Sequence, residues 1–207
     1  MRRRFRALVG LIALDWMLRV DTAGEVGFDE LEHRGRIGFF DYTATDWITV
    51  RRGLAYLDIG PDDVFVDLGS GKGRVVLMAA MHPFKRVIGV ELSAKLNTIA
   101  RTNVERTIQR LRCQDVELVL ADAAEYELPD DVTVVFLNNP FGRGPFEAVI
   151  RGLTASQERR PRTLRILYVA PYEDAALVAT GRVRRVKYWR SHLMALYELR
   201  PDSTGSS

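Results

Sequence analysis

The chain has 207 residues, 47% hydrophobic and 28% charged, a balance that suits one soluble domain with a full core and excludes a disordered or fibrous chain. A net charge of +3 is too small to imply nucleic-acid binding by itself, and a single cysteine excludes an internal disulfide and fits a reducing cytoplasm. His33, His82 and His192 share no ligand-like spacing, so no structural metal is expected. Residues 1–20 open with Arg2, Arg3, Arg4 and Arg6 ahead of the apolar run Ala7-Leu-Val-Gly-Leu-Ile-Ala-Leu14. Asp15 and Arg19 interrupt that run, it falls short of the roughly 20 residues that cross a bilayer, and no clear small-residue cleavage site follows it. Neither a transmembrane span nor an export signal is expected.

Phe5, Leu8, Val9, Ile12 and Trp16 share one face of the helix this pattern predicts, while Leu11, Leu14 and Leu18 share another. Packing against its own domain is the expectation for that helix; a homodimer contact and attachment to a membrane surface are the alternatives, so a monomer and a homodimer both stay open. Residues 20–36 keep no sustained period and read as a loop-rich connector with a short helix near residues 29–33. Phe39-Phe-Asp-Tyr-Thr-Ala-Thr-Asp-Trp47 is dense in aromatic residues and leads into a helix predicted over Asp46–Leu57. Gly60-Pro-Asp-Asp63 then turns into a strand.

That strand begins Val64-Phe-Val-Asp-Leu-Gly-Ser-Gly-Lys-Gly-Arg-Val-Val-Leu-Met-Ala-Ala80, around which the rest of the chain is organised. Val64 to Leu68 has no room for an exposed face, as expected of a central parallel strand covered on both sides. Gly69, Gly71 and Gly73 can take positive φ and let the backbone approach a ligand that a Cβ would repel. A buried helix from about Lys72 to Met81 points its free N–H groups back at the loop. The spacing fits neither the G-x-G-x-x-G of a dinucleotide loop nor the G-x-x-x-x-G-K-[ST] of a P-loop. Asp67 at the mouth repels a pyrophosphate and attracts an ammonium, which suggests S-adenosylmethionine, with its amino-acid head and no phosphate. Asp67-Leu-Gly-Ser-Gly-Lys-Gly73 resembles motif I of the class I S-adenosylmethionine-dependent methyltransferases, and the likeness runs from about Tyr42 to Leu199.

The resemblance implies a seven-stranded, doubly wound α/β sheet in the order 3-2-1-4-5-7-6, its last strand antiparallel, and it implies roles for the segments around the loop. Asp67, Gly69, Ser70, Gly71 and Gly73 are expected to hold the cofactor. Residues before motif I cover the cofactor and shape the substrate entrance in this class, so Tyr42, Thr43 and Trp47 are candidates for that cover, with packing of the domain edge as the alternative. Arg86-Val-Ile-Gly-Val-Glu-Leu92 is a second buried strand whose terminal Glu91 can accept from both ribose hydroxyls, each charge-assisted bond being worth about 1.5–3 kcal/mol. Ser93 caps the next helix, which runs towards Arg112. Asp122, at the exit of the strand Val116–Ala123, sits where the family accepts from the adenine amino group, with the Ala123 N–H offered to the ring; a cap on the following turn is the alternative.

Val132-Thr-Val-Val-Phe-Leu-Asn-Asn-Pro-Phe-Gly142 is the fourth strand, and its C-terminal tip lies in the ligand crevice of an open α/β sheet. Asn138-Asn-Pro-Phe141 is similar to the N/D-P-P-Y/F motif of amino-group methyltransferases, with Asn139 in place of the first proline, and also resembles the Asn-Asn-Phe segment of the non-SET histone-lysine methyltransferases. Asn138 would orient a substrate nitrogen or the sulfonium end of the cofactor, and Pro140 and Phe141 would form an apolar substrate wall; a structural turn fixed by Pro140 is the alternative. A helix over residues 144–157, a strand over 163–170 and an antiparallel pair over 182–189 and 191–199 complete the fold, followed by a polar tail over 201–207. Arg182, Arg184, Arg185, Lys187 and Arg190, with Tyr188 and Trp189, read as edge-strand protection in preference to a nucleic-acid surface.

The expected division is residues 1–45 as helical extension and cover, 46–200 as methyltransferase domain and 201–207 as tail. The expected activity is methyl transfer by direct displacement to an N or O nucleophile, which needs a nucleophile in line at roughly 3–3.5 Å more than it needs a strong base. Asn138 and Tyr42 are the candidates nearest the chemistry; Asp46 and His192 are further candidates for a base. A cytoplasmic small molecule is the expected acceptor, a protein lysine the first alternative, and a catalytically idle cofactor-binding module the second; nucleic acid is not expected.

Overall fold

The computed structural model describes residues 15–27, 42–138 and 143–201. Residues 15–18 make one helical turn, after which β1 (Glu25–Val26) pairs antiparallel with β2 (Tyr42–Thr43). Helix α1 (Trp47–Tyr56) starts at the Asp46 cap, whose carboxylate accepts from the Ile48 and Thr49 N–H groups. The order continues β3 (Val64–Leu68), α2 (Arg74–Ala80), β4 (Arg86–Glu91), α3 (Ala94–Thr107), β5 (Val116–Leu120) and β6 (Val134–Asn138). It ends with α4 (Arg143–Arg159), β7 (Leu164–Val169), α5 (Asp174–Ala179), β8 (Val183–Trp189) and β9 (Met194–Leu199). Among the described residues no helix is long and apolar enough to cross a membrane.

Seven strands form one sheet in the order β5-β4-β3-β6-β7-β9-β8, which is the expected 3-2-1-4-5-7-6 when they are counted along the chain. All neighbours are parallel except β9, which runs antiparallel to both β7 and β8. Alternation along each strand divides the core into two layers. Phe65, Val87, Phe136, Leu167 and Met194 pack under α1, α2 and α3 with Val50, Leu54, Leu77 and Ala100. Val66, Ile88, Val135, Ile166 and Tyr197 pack on the other face with Phe146, Val149 and Leu153 of α4 and Leu177 of α5. Burial on both faces is why β3, β4 and β6 read as unbroken apolar runs.

Two local features depart from the sequence reading. The connector over residues 20–36 contributes β1, and the stretch between β7 and β8, read without an element, contains α5. Both are too short to show a period. Within residues 15–18, Leu18 is buried against the domain and Trp16 is 83% exposed. Residues 1–14, the predicted short helix near 29–33 and the tail after 201 lie outside the described residues.

Candidate cofactor site

The loop after β3 takes the backbone shape its glycines allow: Gly69, Gly71 and Gly73 have φ of 88°, 55° and 83°, a region that costs residues with a Cβ. The N–H groups of Gly69 and Ser70 both donate to the Val90 carbonyl at 2.9 Å, so the loop is drawn across the end of β4. Glu91 completes the hold. Its carboxylate accepts from Gly71 N–H and from Ser93 N–H, each at 2.8 Å, and therefore joins the glycine loop to the start of α3. Ser93 caps α3 as expected, accepting from Leu96 N–H.

Gly89 is the least obvious necessity of this arrangement. It stands beside Asp67 in the β3–β4 register, and a Cβ there would lie 2.7 Å from Val76 Cγ2, 2.9 Å from Leu118 Cδ2 and 3.0 Å from Ser70 Oγ. The absence of that side chain lets α2 and the loop descend onto the sheet.

Two polar atoms of the site are buried without a partner: Asp67 Oδ2 and Ser70 Oγ. Burial, and secondarily the negative charge of Glu91, push the Asp67 carboxyl well above its ordinary range. Burial also raises Glu91, opposed by the N–H groups of Ser93, Gly71 and Leu92 that favour its charged form. A buried, protonated or unpaired carboxylate at the mouth of a glycine loop is suited to a cationic donor, since an adjacent positive charge restores its ionised form. These residues fit an ammonium-bearing cofactor and offer nothing to a pyrophosphate.

The remaining predicted residues are arranged around the same ends of the parallel strands. Asp122 Oδ1 accepts from Ala124 N–H at 2.9 Å, so it caps its own turn; Ala123 beside it is buried. Asn138, at the tip of β6, donates from Nδ2 to the Thr43 carbonyl at 3.4 Å and thereby ties the segment before α1 to the crevice. Tyr42 lies in β2, but its side chain, like Asn139, Pro140, Phe141 and Gly142, lies outside the described residues. Trp47 does not face an entrance. It is 2% exposed within the core, its ring lying 5.1 Å from the Arg74 guanidinium, because a large apolar ring at the first turn of α1 gains more by filling the space over α2.

Both further candidates for a base are hydrogen-bonded within the fold. Both Asp46 oxygens are engaged, by the Ile48 and Thr49 N–H groups and the Thr49 hydroxyl. The His192 ring lies between Thr49 Oγ1 at Nδ1, 2.9 Å, and Arg52 Nη1 at Nε2, 2.7 Å, which makes Nε2 the acceptor and Nδ1–H the donor.

The sequence reading missed the clamp between the N-terminal segment and the loop helix. Arg74, 2% exposed, donates to Asp15 at 3.3 Å, to Thr22 Oγ1 at 2.8 Å and to the Thr45 carbonyl at 3.0 Å. Asp15 in turn accepts from the N–H and hydroxyl of Thr22. Lys72 Nζ reaches Asp21 and the Ala23 carbonyl, and Asn103 exchanges hydrogen bonds with the Asp21 backbone while donating to the Lys72 carbonyl. The signal was present: a charged residue in an otherwise apolar helix, Arg74, and another in an apolar N-terminal run, Asp15, are each costly unless paired.

Residues 42–142, a little under half of the chain, match the family model described as histone methylation protein DOT1. Over those residues the chain is similar to that family, and its fold is that of the class I S-adenosylmethionine-dependent methyltransferases. It is 60% identical over 38 residues to an H3 lysine-79 specific histone-lysine N-methyltransferase of Caenorhabditis elegans, covering 18% of this chain and 4% of that protein. It is 35% identical over 66 residues to a protein-lysine N-methyltransferase of Saccharolobus islandicus, covering 31% and 41%. Among solved structures it resembles an RNA methyltransferase of Salinibacter ruber in complex with S-adenosylhomocysteine, with a TM-score of 0.53, 21% identity and coverage of 79% of this chain and 97% of the other. The chain thus spans under half the length of these two curated relatives, while the fold of the methyltransferase class is reproduced nearly end to end.

Proposed function

We propose that this methyltransferase moves the methyl group of S-adenosylmethionine by in-line displacement to an amine nitrogen, with a protein lysine as the acceptor. The observation that carries the cofactor part is the unpartnered Asp67 oxygen beneath a loop held open by Glu91. In this reading Asp67 receives the ammonium of the cofactor, the glycine loop receives its amino-acid backbone, Glu91 adds ribose hydroxyls to its two N–H bonds, and Asp122 with the Ala123 N–H borders the adenine. A sulfonium methyl is already activated, so the chain's own part is to orient and desolvate the nucleophile. Asn138, steadied by the Thr43 carbonyl, orients the incoming nitrogen by accepting one of its hydrogens.

The lysine acceptor is supported by the family match, which includes Asn138–Gly142, and by the lysine methyltransferase activity for which both relatives are named. A small-molecule N or O acceptor is the second reading, favoured by the short connections between strands, which leave no added domain among the described residues to grip a macromolecule. Residues 1–45 act in both as the cover and 46–200 as the catalytic domain. Incubation of a size-fractionated bacterial lysate with tritiated S-adenosylmethionine separates the two: label retained in protein and recovered as methyl-lysine supports the first, label only in the low-mass fraction supports the second, and none in either with Asn138→Ala equal to wild type contradicts both.

A further inference from the structure

Structure divides the basic residues of the C-terminal hairpin into two sets that the sequence could not distinguish. Arg182 is paired with Glu158, and Arg184 and Arg200 share Glu198, so their charge is spent within the fold. Arg185 lies by Tyr197, whose hydroxyl donates to Asp174. None of the ion pairs among the described residues involves Lys187 or Arg190, nor Arg51 or Arg52 of α1. All four are exposed; Lys187 and Arg52 make contacts between the two elements, and Arg51 and Arg190 flank those contacts in sequence.

The seam that joins them has definite contacts. Arg52 meets His192 at 2.7 Å, Tyr56 meets the Trp189 ring edge-on at 5.2 Å, and Lys187 Nζ lies 5.8 Å from the Tyr56 ring centre. Ile48, Arg52 and Tyr56 recur at every fourth position of α1 and are all exposed, Tyr56 by 49%. Opposite them on β8, Lys187 and Trp189 are alternate residues on one face, since they pair with Leu196 and Met194 of the α1 side. Of the acidic side chains on these elements, Asp46 caps α1 and Glu198 holds two arginines. Protection of an edge strand explains charge on β8 but not the two arginines and exposed tyrosine on a helix beside it.

We propose that this seam between α1 and β8 is a docking surface for a single strand of RNA. Uncompensated cations take phosphates, an exposed aromatic ring takes a base face, and single-stranded RNA offers both, whereas a duplex hides its base faces and an acidic protein supplies no base to stack. The upper end of the seam, at His192 and the start of α1, adjoins the Thr43–Asp46 segment that is tied to Asn138, so a strand held here passes beside the methyl-transfer crevice.

Fluorescence anisotropy of a labelled uridine dodecamer, without cofactor, tests the surface independently of methyl transfer. Wild type should bind in 50 mM salt, with affinity falling as salt rises; Arg51→Ala/Lys187→Ala/Arg190→Ala should lower the slope of log affinity against log salt by about 2, at roughly 0.7 per lost phosphate contact. Tyr56→Ala should weaken binding about 5- to 100-fold, whereas Arg184→Ala, on the same strand but carboxylate-paired, should change it less than about twofold. Unfolding midpoints of the variants establish that they are folded. Failure of wild type to bind, a triple variant equal to wild type, tighter binding of duplex DNA than of the RNA, or displacement by a glutamate dodecapeptide with no effect of Tyr56→Ala would each overturn the proposal, the last by assigning the seam to an acidic protein.

Discussion

Asp67 carries an unusual electrostatic load for its position. Its raised pKa means that the ligand-free folded protein holds a proton the unfolded chain releases, so the stability tied to this group is full below the ordinary carboxylate range and is lost as pH rises through the raised value. Asp67→Asn should therefore flatten the decline of urea-measured stability between acid and neutral pH while sharply weakening cofactor binding. The same sign governs the ligand: a bound ammonium favours ionised Asp67, so S-adenosylmethionine should bind more tightly as pH rises, with net proton release in calorimetry across buffers of different ionisation enthalpy. Affinity independent of pH, or unchanged in Asp67→Asn, would detach Asp67 from the ammonium. Gly89 offers a steric counterpart. Gly89→Ala places a methyl 2.7 Å from Val76 and 3.0 Å from Ser70, and overpacking of this kind costs about 1–3 kcal/mol, read as a shift in urea midpoint at constant m-value.

Among the elements, the N-terminal segment and α2 behave as one unit. The Arg74–Asp15 pair is buried, and removing one partner of a buried pair costs about 3–5 kcal/mol because the other charge is stranded. Asp15→Ala should show a loss of that order and Asp15→Ala/Arg74→Ala a loss well short of the sum, while two single losses that simply add would mean that the pair does not act as a clamp. This pairing also marks where sequence reading stops. Element types were legible because β3, β4 and β6 are doubly covered apolar runs, and because Ser93 is a side-chain cap recognisable from its neighbours. The β1–β2 ribbon, α5 and the Arg74–Asp15 contact were not, since each depends on a partner brought near only by the folded sheet. Within the site, the glycine loop stood out by its spacing and Glu91 by its place at the end of a buried strand, whereas the burial of Trp47 depends on packing and the Asp122–Ala124 contact on a local hydrogen bond.

At the scale of the whole molecule, the order β5-β4-β3-β6-β7-β9-β8 brings the C-terminal ends of β3, β4 and β6 together, and with them the glycine loop, Glu91 and Asn138. Arg74 holds the Thr45 carbonyl and Asn138 the Thr43 carbonyl, so in the proposed reading cofactor grip and substrate cover share one set of contacts. The most direct measurement is thermal unfolding with S-adenosylmethionine, S-adenosylhomocysteine and NAD in parallel, on wild type and Glu91→Ala, the unliganded midpoints reporting whether the variant is folded. At about 100 times Kd, a ligand of the folded state contributes roughly 2.7 kcal/mol, or about 5–10 °C for a chain of this size. A shift of that size with both sulfur ligands, lost in Glu91→Ala, is the expected result. No shift with either, or a shift with NAD alone, would contradict an S-adenosylmethionine site at this loop.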